Sequence, residues 1–469
     1  MHPLILKEFR LLWRCASLRW LLITTLALQA LAQWAVCGPL AHRAQSQAQA
    51  AKAERQRWLN QGEQFAHAAA HYGQYVFRPI SALSTFDRGI DAYVGSAVLL
   101  EAHRQNDTLY RPGQETALAL AWGPITPATV LLIVGPLLII GLGHGIVAQE
   151  WELGTFRLLC LQQKPLRTVL IAKTLTLAII GAGMVAISLL LAWGSSRLLG
   201  FAQPSDALSC WLGLAIVYMA YISVWIGLTI ALSSMLRHSQ MALAFGLSLW
   251  VVLCLIVPRA AATYAHLCWP LPSQEAWFGQ MNQAAARATQ VDDSESIQRA
   301  LMTQAGVHRL EDLPTNWAGA NYLHGEALGN AIFTRYYRFI DDQYLRQQET
   351  LTCAAFLSPT LATQWLSQAL SGSDIQHDRH FVAAAEAYRR TIQLILNTAI
   401  ASHPMRDGAK PLSGAETWKA VPPFTYQLPR FATVIDRADW LRSAAALSVA
   451  LLLSTWVCLA ASSAMSRSR

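Results

Sequence analysis

Six stretches of this chain are so apolar that only a lipid bilayer or a deep protein core can hold them, and their lengths favour the bilayer. Crossing its hydrocarbon core takes about 20 predominantly apolar residues. Windows at 20–40, 124–147, 168–196, 207–236, 240–257 and 443–464 reach or approach that length. With 54% hydrophobic and only 14% charged residues in 469, the chain is too apolar for an ordinary soluble protein. The pattern predicts an all-α membrane protein with six transmembrane helices.

Two long polar segments, 41–123 and 258–442, separate these windows, and each is large enough to fold. Basic and acidic residues balance across the two together, so the net charge of +8 falls on 1–19, the break between the second and third windows, Arg237 and the C-terminal tail. Such an excess in short connections is the positive-inside pattern. It predicts cytoplasmic N- and C-termini, places both long segments outside, and makes a nucleic-acid partner unnecessary. A cleaved signal peptide fits poorly, because the polar lead before the first window is long for an n-region. Cys37 follows Val36 rather than a small residue, which argues against a lipoprotein site. Cys268 and Cys353 fall in an outer segment; their spacing leaves open whether they pair.

The lead 1–19 is amphipathic at helical spacing, with Ile5, Phe9, Leu12 and Ala16 on one face and Lys7, Arg10 and Arg14 on the other. It reads as an interfacial helix with its apolar side in lipid. The Ala- and Gln-rich run after the first window predicts a helix rising from it and ending near Gly73. Pro79 and Gly89 mark the following stretch as turn or loop. Segment 258–442 reads as mainly helical, with Gly372 closing a helix that begins after "LSP". No alternating pattern is long enough to predict a strand.

Several chemistries lack their residues. No window has Asp or Glu in its interior, which disfavours an ion-coupled carrier. Lys173 and His144 lie near window ends, where they can snorkel to the interface. The chain has no G-x-x-x-x-G-K-[ST] loop, so if ATP drives it another subunit holds the nucleotide and its Mg²⁺. It has no H-E-x-x-H or C-x-x-C either. "GLSL" at 246–249 lacks a nearby histidine base and reads as helix packing. "HDRH" offers His377, Asp378 and His380 to a metal, although solvated polar residues at a helix start explain it equally well. The small-residue clusters "GLGHG" and "GAGMVA" suit close helix approach in lipid.

The charged break "QEWELGTFRLL" resembles the coupling segment of ABC-2 type transporter permeases, a Glu-x-Glu-x-Gly-Thr-like run followed by leucines. Glu150, Glu152, Gly154, Thr155, Leu158 and Leu159 match it; Trp151 and Phe156 make it more aromatic than the family pattern. A narrower resemblance, to the bacterial branch with two large extracytoplasmic insertions, is carried by Arg78–Gly89, by "FLSPTLATQWLSQALSGSDIQHDRHFVAAAEAYRR" and by "PPFTY". These resemblances imply a permease of the bacterial cytoplasmic membrane that binds no cofactor itself. They imply an ABC ATP-binding subunit carrying ATP and Mg²⁺, a second permease copy or paralogue, and lipid around the spans. Residues 148–167 would be the cytoplasmic coupling segment, with Glu150, Trp151, Glu152, Gly154, Thr155, Phe156, Arg157 and Leu158 meeting the ATPase. Lys7, Phe9, Arg10 and Arg14 would seat the interfacial helix. The alternative from another class is a membrane-anchored extracytoplasmic binding or sensory module.

The charge asymmetry makes a direct prediction. In a cysteine-free background, cysteine placed at Gln163 is expected to react only from the cytoplasm and cysteine at Asp293 only from outside. Labelling of the latter from the cytoplasm alone would overturn the topology.

Overall fold

The computed structural model describes residues 2–109, 125–156, 166–289, 294–403 and 411–467. In chain order, α1 (His2–Arg14) and α2 (Ala16–Leu59) lead into insertion 1, which holds β1 (Gln64–Phe65), α3 (Ala66–His71), β2 (Gln74–Phe77), β3 (Ala97–Leu100) and β4 (Thr108–Leu109). Then come α4 (Pro127–Glu152), α5 (Leu166–Leu198), α6 (Ala207–Met235) and α7 (Ser239–Cys268). Insertion 2 contains α8 (Gln274–Thr289), α9 (Ser294–Ala305), α10 (Trp317–Ala354), α11 (Pro359–Ser371), α12 (Ile375–Ala401), β5 (Leu412–Ser413), α13 (Ala415–Ala420) and α14 (Phe431–Val434). The chain ends on α15 (Arg437–Arg467). Six of these helices, α2, α4, α5, α6, α7 and α15, are long and apolar enough to cross a membrane. The protein is therefore mostly helical and multi-pass.

Within the bundle α6 is central, and Tyr218, Tyr221 and Trp225 on it are among the largest fully buried side chains. Small residues let its neighbours close in. Cβ atoms added at Gly143 and Gly181 would lie 2.7 Å from Thr229 and 2.6 Å from Ile222. Gly246 of "GLSL" likewise faces Ile140. By contrast α2, α7 and α15 leave large apolar side chains exposed, including Trp34, Phe245 and Trp456, as lipid-facing helices do.

The two insertions build one domain. Trp58 at the end of α2 and Trp418 of α13 meet edge to face, 6.1 Å between centroids. Trp58 Nε1 donates to the Trp418 carbonyl at 3.0 Å and Trp418 Nε1 to that of Gly62 at 2.8 Å. Around them, Ala66, Val76, Val98, Phe381 and Leu396 close a core drawn from both insertions. β1 pairs antiparallel with β5, Gln64 opposite Ser413, which joins the insertions through backbone as well.

Several expectations need correction. The rising helix ends at Leu59, and Gly73, at φ +69°, instead follows the short α3. Strands do exist: β2, β3 and β4 form an antiparallel meander, but strands of two to four residues leave no readable alternation. The stretch from Arg78 does turn as expected, but it is buried. Its 3₁₀ turns at Ala82–Thr85 and Gly89–Ala92 are tightly packed, with Leu83, Thr85 and Phe86 almost wholly buried. On α1, Ile5, Phe9 and Leu12 are half-buried because the helix packs on α5, so part of this face meets protein, while Ala16 stays exposed.

α11 is the least expected element. It opens at Ser358, closes at Gly372 (φ +68°), and is buried along most of its length despite Thr360, Thr363, Ser367, Gln368 and Ser371. The reason lies in two prolines. Pro136 in α4 and Pro258 in α7 cannot donate N–H groups, and each follows a π-helical stretch, Val130–Val134 and Val251–Ile256. The carbonyl of Leu132 accepts from Tyr221 Oη at 2.7 Å, and that of Leu253 accepts from Ser358 Oγ at 2.6 Å. Thr360 Oγ1 lies 3.0 Å from the same Tyr221 hydroxyl. The start of α11 thus satisfies one span carbonyl directly, through Ser358, and through Thr360 holds the Tyr221 hydroxyl that satisfies another.

Further out, Asp87 accepts a hydrogen bond from Ser367, while Arg78 Nη2 contacts Asp91 at 2.6 Å and Arg78 Nη1 lies 3.6 Å from Asp378. Asp378 is 1% exposed. Its burial outweighs the pull of Arg78, already claimed by Asp91, and raises the carboxyl from its ordinary 3.8 to about 6. An acid whose folded pKa is raised favours the fold while protonated and loses that contribution as pH rises through about 4 to 6. Asp378→Asn should therefore gain stability relative to wild type over that window, on the order of 2 kcal/mol. Parallel thermal melts at pH 4 and 6 check this; an unchanged difference would refute it.

Candidate functional site

The segment singled out as a coupling site is held to the bundle by four separate contacts. α4 ends in a turn at 144–147 and one further turn of helix, Ala148–Glu152. That turn's leading N–H groups, at Val147 and Ala148, donate to Ser233 Oγ of α6 at 3.0 and 3.1 Å. Gly154 then takes φ +70°, a left-handed conformation that reverses the chain and that a side chain would strain. Trp151 and Phe156 stack across the reversal at 3.9 Å, with the Arg237 guanidinium 5.6 Å from the Trp151 ring.

The charges are used inside the protein. Glu152 accepts from the Ser239 N–H and hydroxyl, both at 2.8 Å, capping the N-terminus of α7, where its negative charge also suits the helix dipole. Glu150 accepts from Thr155 Oγ1 and lies 3.2 Å from Lys173 Nζ of α5. Lys173 Nζ is also 3.3 Å from Glu8 of α1. Lys173 is only 4% exposed and Glu8 5%, so this lysine does not snorkel as the sequence suggested. It bridges two carboxylates from different elements. His144 turns back on its own helix, with Nδ1 2.9 Å from the Gly141 carbonyl oxygen.

This changes which side chains face outward. Phe156 is buried, Trp151 and Thr155 are half-covered, and Glu150 is engaged, whereas Glu152 and Gly154 are exposed and Leu153 is 75% exposed. Leu153 therefore forms the tip of the reversal. Arg157 and Leu158 lie outside the described residues. On α1, Lys7, Arg10 and Arg14 are exposed and Phe9 is half-buried. Sequence reasoning missed Glu8 and Lys173; a lone acid in a basic lead and a lysine within an apolar window were the available signals.

The other candidates separate. Of "HDRH", His377 contacts Asp374 at the start of α12, Asp378 faces Arg78, and His380 Nδ1 lies 2.9 Å from Tyr426 Oη, so the three share no common point. Cys268 and Cys353 are both free and exposed.

Residues 276–427 match a family described as Domain of unknown function (DUF3526), which lies wholly within insertion 2. Neither the comparison with curated proteins nor that with solved structures returns a match.

Removing the lysine should be far worse than removing an exposed cation nearby. Lys173→Met leaves two carboxylates facing each other, and breaking a buried pair from one side costs about 3–5 kcal/mol. Lys7→Met, at an exposed position, should cost under about 1 kcal/mol. Thermal stability in detergent should rank them so, with Glu150→Gln partly rescuing Lys173→Met; equal losses would refute the bridge.

Proposed function

We propose that this chain is the membrane-spanning permease subunit of an ATP-driven transporter of the ABC-2 type. It couples hydrolysis by a separate ATPase subunit to substrate movement or mechanical work across the bacterial cytoplasmic membrane. The observation that carries the reading is the Glu8–Lys173–Glu150 bridge. It ties the surface helix, α5 and the reversal into one body and leaves Leu153 projecting from it. A rigid tip anchored to several spans suits the receipt of force; a solvated connector needs no buried ion pairs.

In this reading ATP and Mg²⁺ stay on the ATPase, and a second permease copy or paralogue completes the transport pathway. Neither nucleotide chemistry nor transport catalysis is assigned to side chains of this chain. The orientation with both termini in the cytoplasm belongs to the same proposal and rests on the charge asymmetry. A second reading, a membrane-anchored extracytoplasmic binding or sensory module, draws support from the separate core shared by the two insertions.

Leu153 distinguishes the readings better than the neighbouring acids. Changing Glu152 would also uncap α7, and changing Glu150 would disturb the buried bridge. Leu153→Asp places a charge at an exposed tip without touching either. If the tip seats in a partner cleft, loss of an anchoring side chain costs about 1–3 kcal/mol of binding. Affinity for the ATPase should then fall roughly 5–150-fold, and co-purification from native membranes should recover correspondingly less ATPase, with normal insertion. Full ATPase recovery and full coupling of ATP hydrolysis in the variant would reject the docking role.

A further inference from the structure

Three imidazoles converge at the surface of the insertion domain, away from everything described so far. His67 and His71 stand one turn apart on α3, and His103 comes from the turn after β3. Nε2 of His71 and Nε2 of His103 each lie 3.2 Å from Nε2 of His67. One ligand atom from each of the three falls within 4.8 Å of the others.

The partners of the opposite ring nitrogens decide what those Nε2 atoms are. His103 Nδ1 lies 2.6 Å from Glu326 Oε1, a buried carboxylate that can only accept, so the His103 proton sits on Nδ1. His67 Nδ1 faces Asn397 Oδ1 at 3.5 Å, which favours the same tautomer. Both Nε2 atoms then present bare lone pairs to each other. Hydrogen bonding does not resolve the cluster, because a single lone pair on His67 faces two neighbours at equal distance. A cation at the centre does. A tetrahedral ion with metal–nitrogen bonds of about 2.0–2.1 Å sets its ligand nitrogens roughly 3.3 Å apart, close to the 3.2 Å of the two pairs that His67 makes, with His71 and His103 within 4.8 Å of each other.

We propose that His67, His71 and His103 bind a divalent first-row transition ion, zinc foremost, through three Nε2 atoms with water in the fourth position. Three imidazoles without a carboxylate suit zinc and its neighbours, not magnesium or calcium. His71 and His103 are exposed, which leaves an open side for the water.

The surroundings are built as a metal site's are. Glu326 Oε1 also accepts the His103 backbone N–H at 3.1 Å, and Glu326 Oε2 is held at 3.1 Å by Arg389, itself 1% exposed. A carboxylate behind a ligating histidine fixes its tautomer and raises its basicity. His103 has φ 55°, the only positive φ outside glycine among the described residues, so the fold holds a strained backbone where it aims this ring. The His67 ring stacks on Tyr322 at 3.8 Å and 10°. The ion would clip α3 to the turn at His103 and, through Glu326 and Asn397, to α10 and α12.

The test uses the full-length protein in detergent, stripped with chelator and titrated with zinc alone. Wild type should retain one zinc per chain after gel filtration and melt at higher temperature with zinc than without. His71→Ala, at an exposed helical position where alanine is well tolerated, and His103→Ala should bind at least about 100-fold more weakly and lose the thermal shift. Glu326→Gln should weaken binding about 10–100-fold. His377→Ala/His380→Ala should bind as wild type does. Cobalt in the wild-type site should give the intense visible bands of four-coordinate Co²⁺. This readout needs no variant to fold. Failure of wild type to retain zinc, retention unchanged in a His71→Ala/His103→Ala variant, or an octahedral cobalt spectrum would each overturn the site.

Discussion

A backbone carbonyl that loses its helical donor inside a bilayer has no water to turn to, and this constraint organises the half of the bundle next to the insertions. Pro136 and Pro258 each withhold an N–H beside a π-helical stretch. The replacements are side chains, Tyr221 for Leu132, Trp250 for Ile133 and Ser358 for Leu253. Since Ser358 also caps α11 through the Leu361 N–H, the bond that repairs α7 starts the helix that joins insertion 2 to the spans. An unsatisfied buried polar group costs about 1–3 kcal/mol, so α11 is held in place by what the spans would lose without it.

The opposite end of the bundle meets a different requirement, the neutralisation of charge in a poorly hydrated place. Lys173 lies between Glu8 and Glu150, with Lys7 3.9 Å from the second oxygen of Glu8, so two cations answer two carboxylates. Such a cluster adds little net stability over apolar packing, because desolvation offsets most of the Coulombic gain. What it adds is register. α1 and the Gly154 reversal come from distant parts of the sequence, and this cluster sets them against α5 together.

The six helices were legible because apolar length is a local property, readable without knowing what packs on what. Gly372 and "LSP" likewise announced both ends of α11. Its burial was not legible, because Thr360 and Ser367 look like surface residues until Tyr221 and Asp87 are placed beside them. The small sheets escaped for a related reason, since β1 is recognised only by its pairing with β5, far along the chain. In the segment around Glu150–Phe156 the residue types marked a break in the apolar pattern but not its contacts. Glu152 reads as a free acid, yet its partner Ser239 lies across the α6 to α7 connection. Metal ligation was weighed at "HDRH", where two histidines are neighbours in sequence. "HAAAH" at 67–71 carried helical spacing too, but its third member, His103, is brought in only by the β2–β3 hairpin and Glu326.

These contacts also bear on how the two ends communicate if the chain receives force. Moving α11 along α6 means breaking Tyr221–Thr360 and Tyr218–Ser367 together. These hydroxyls are buried, so the bonds hold α11 against α6. α7 is different. It is tied at one end by Glu152 to the reversal, by Trp250 to the Ile133 carbonyl of α4 and near its middle by Ser358 to α11, and elsewhere it exposes much of its apolar surface. Apolar contacts with lipid slide without breaking discrete bonds. A displacement of Leu153 would therefore reach α7 through Glu152, as it reaches α5 through Glu150 and α6 through Ser233, and from α7 it would pass to the insertion domain through the Leu253 carbonyl that Ser358 holds.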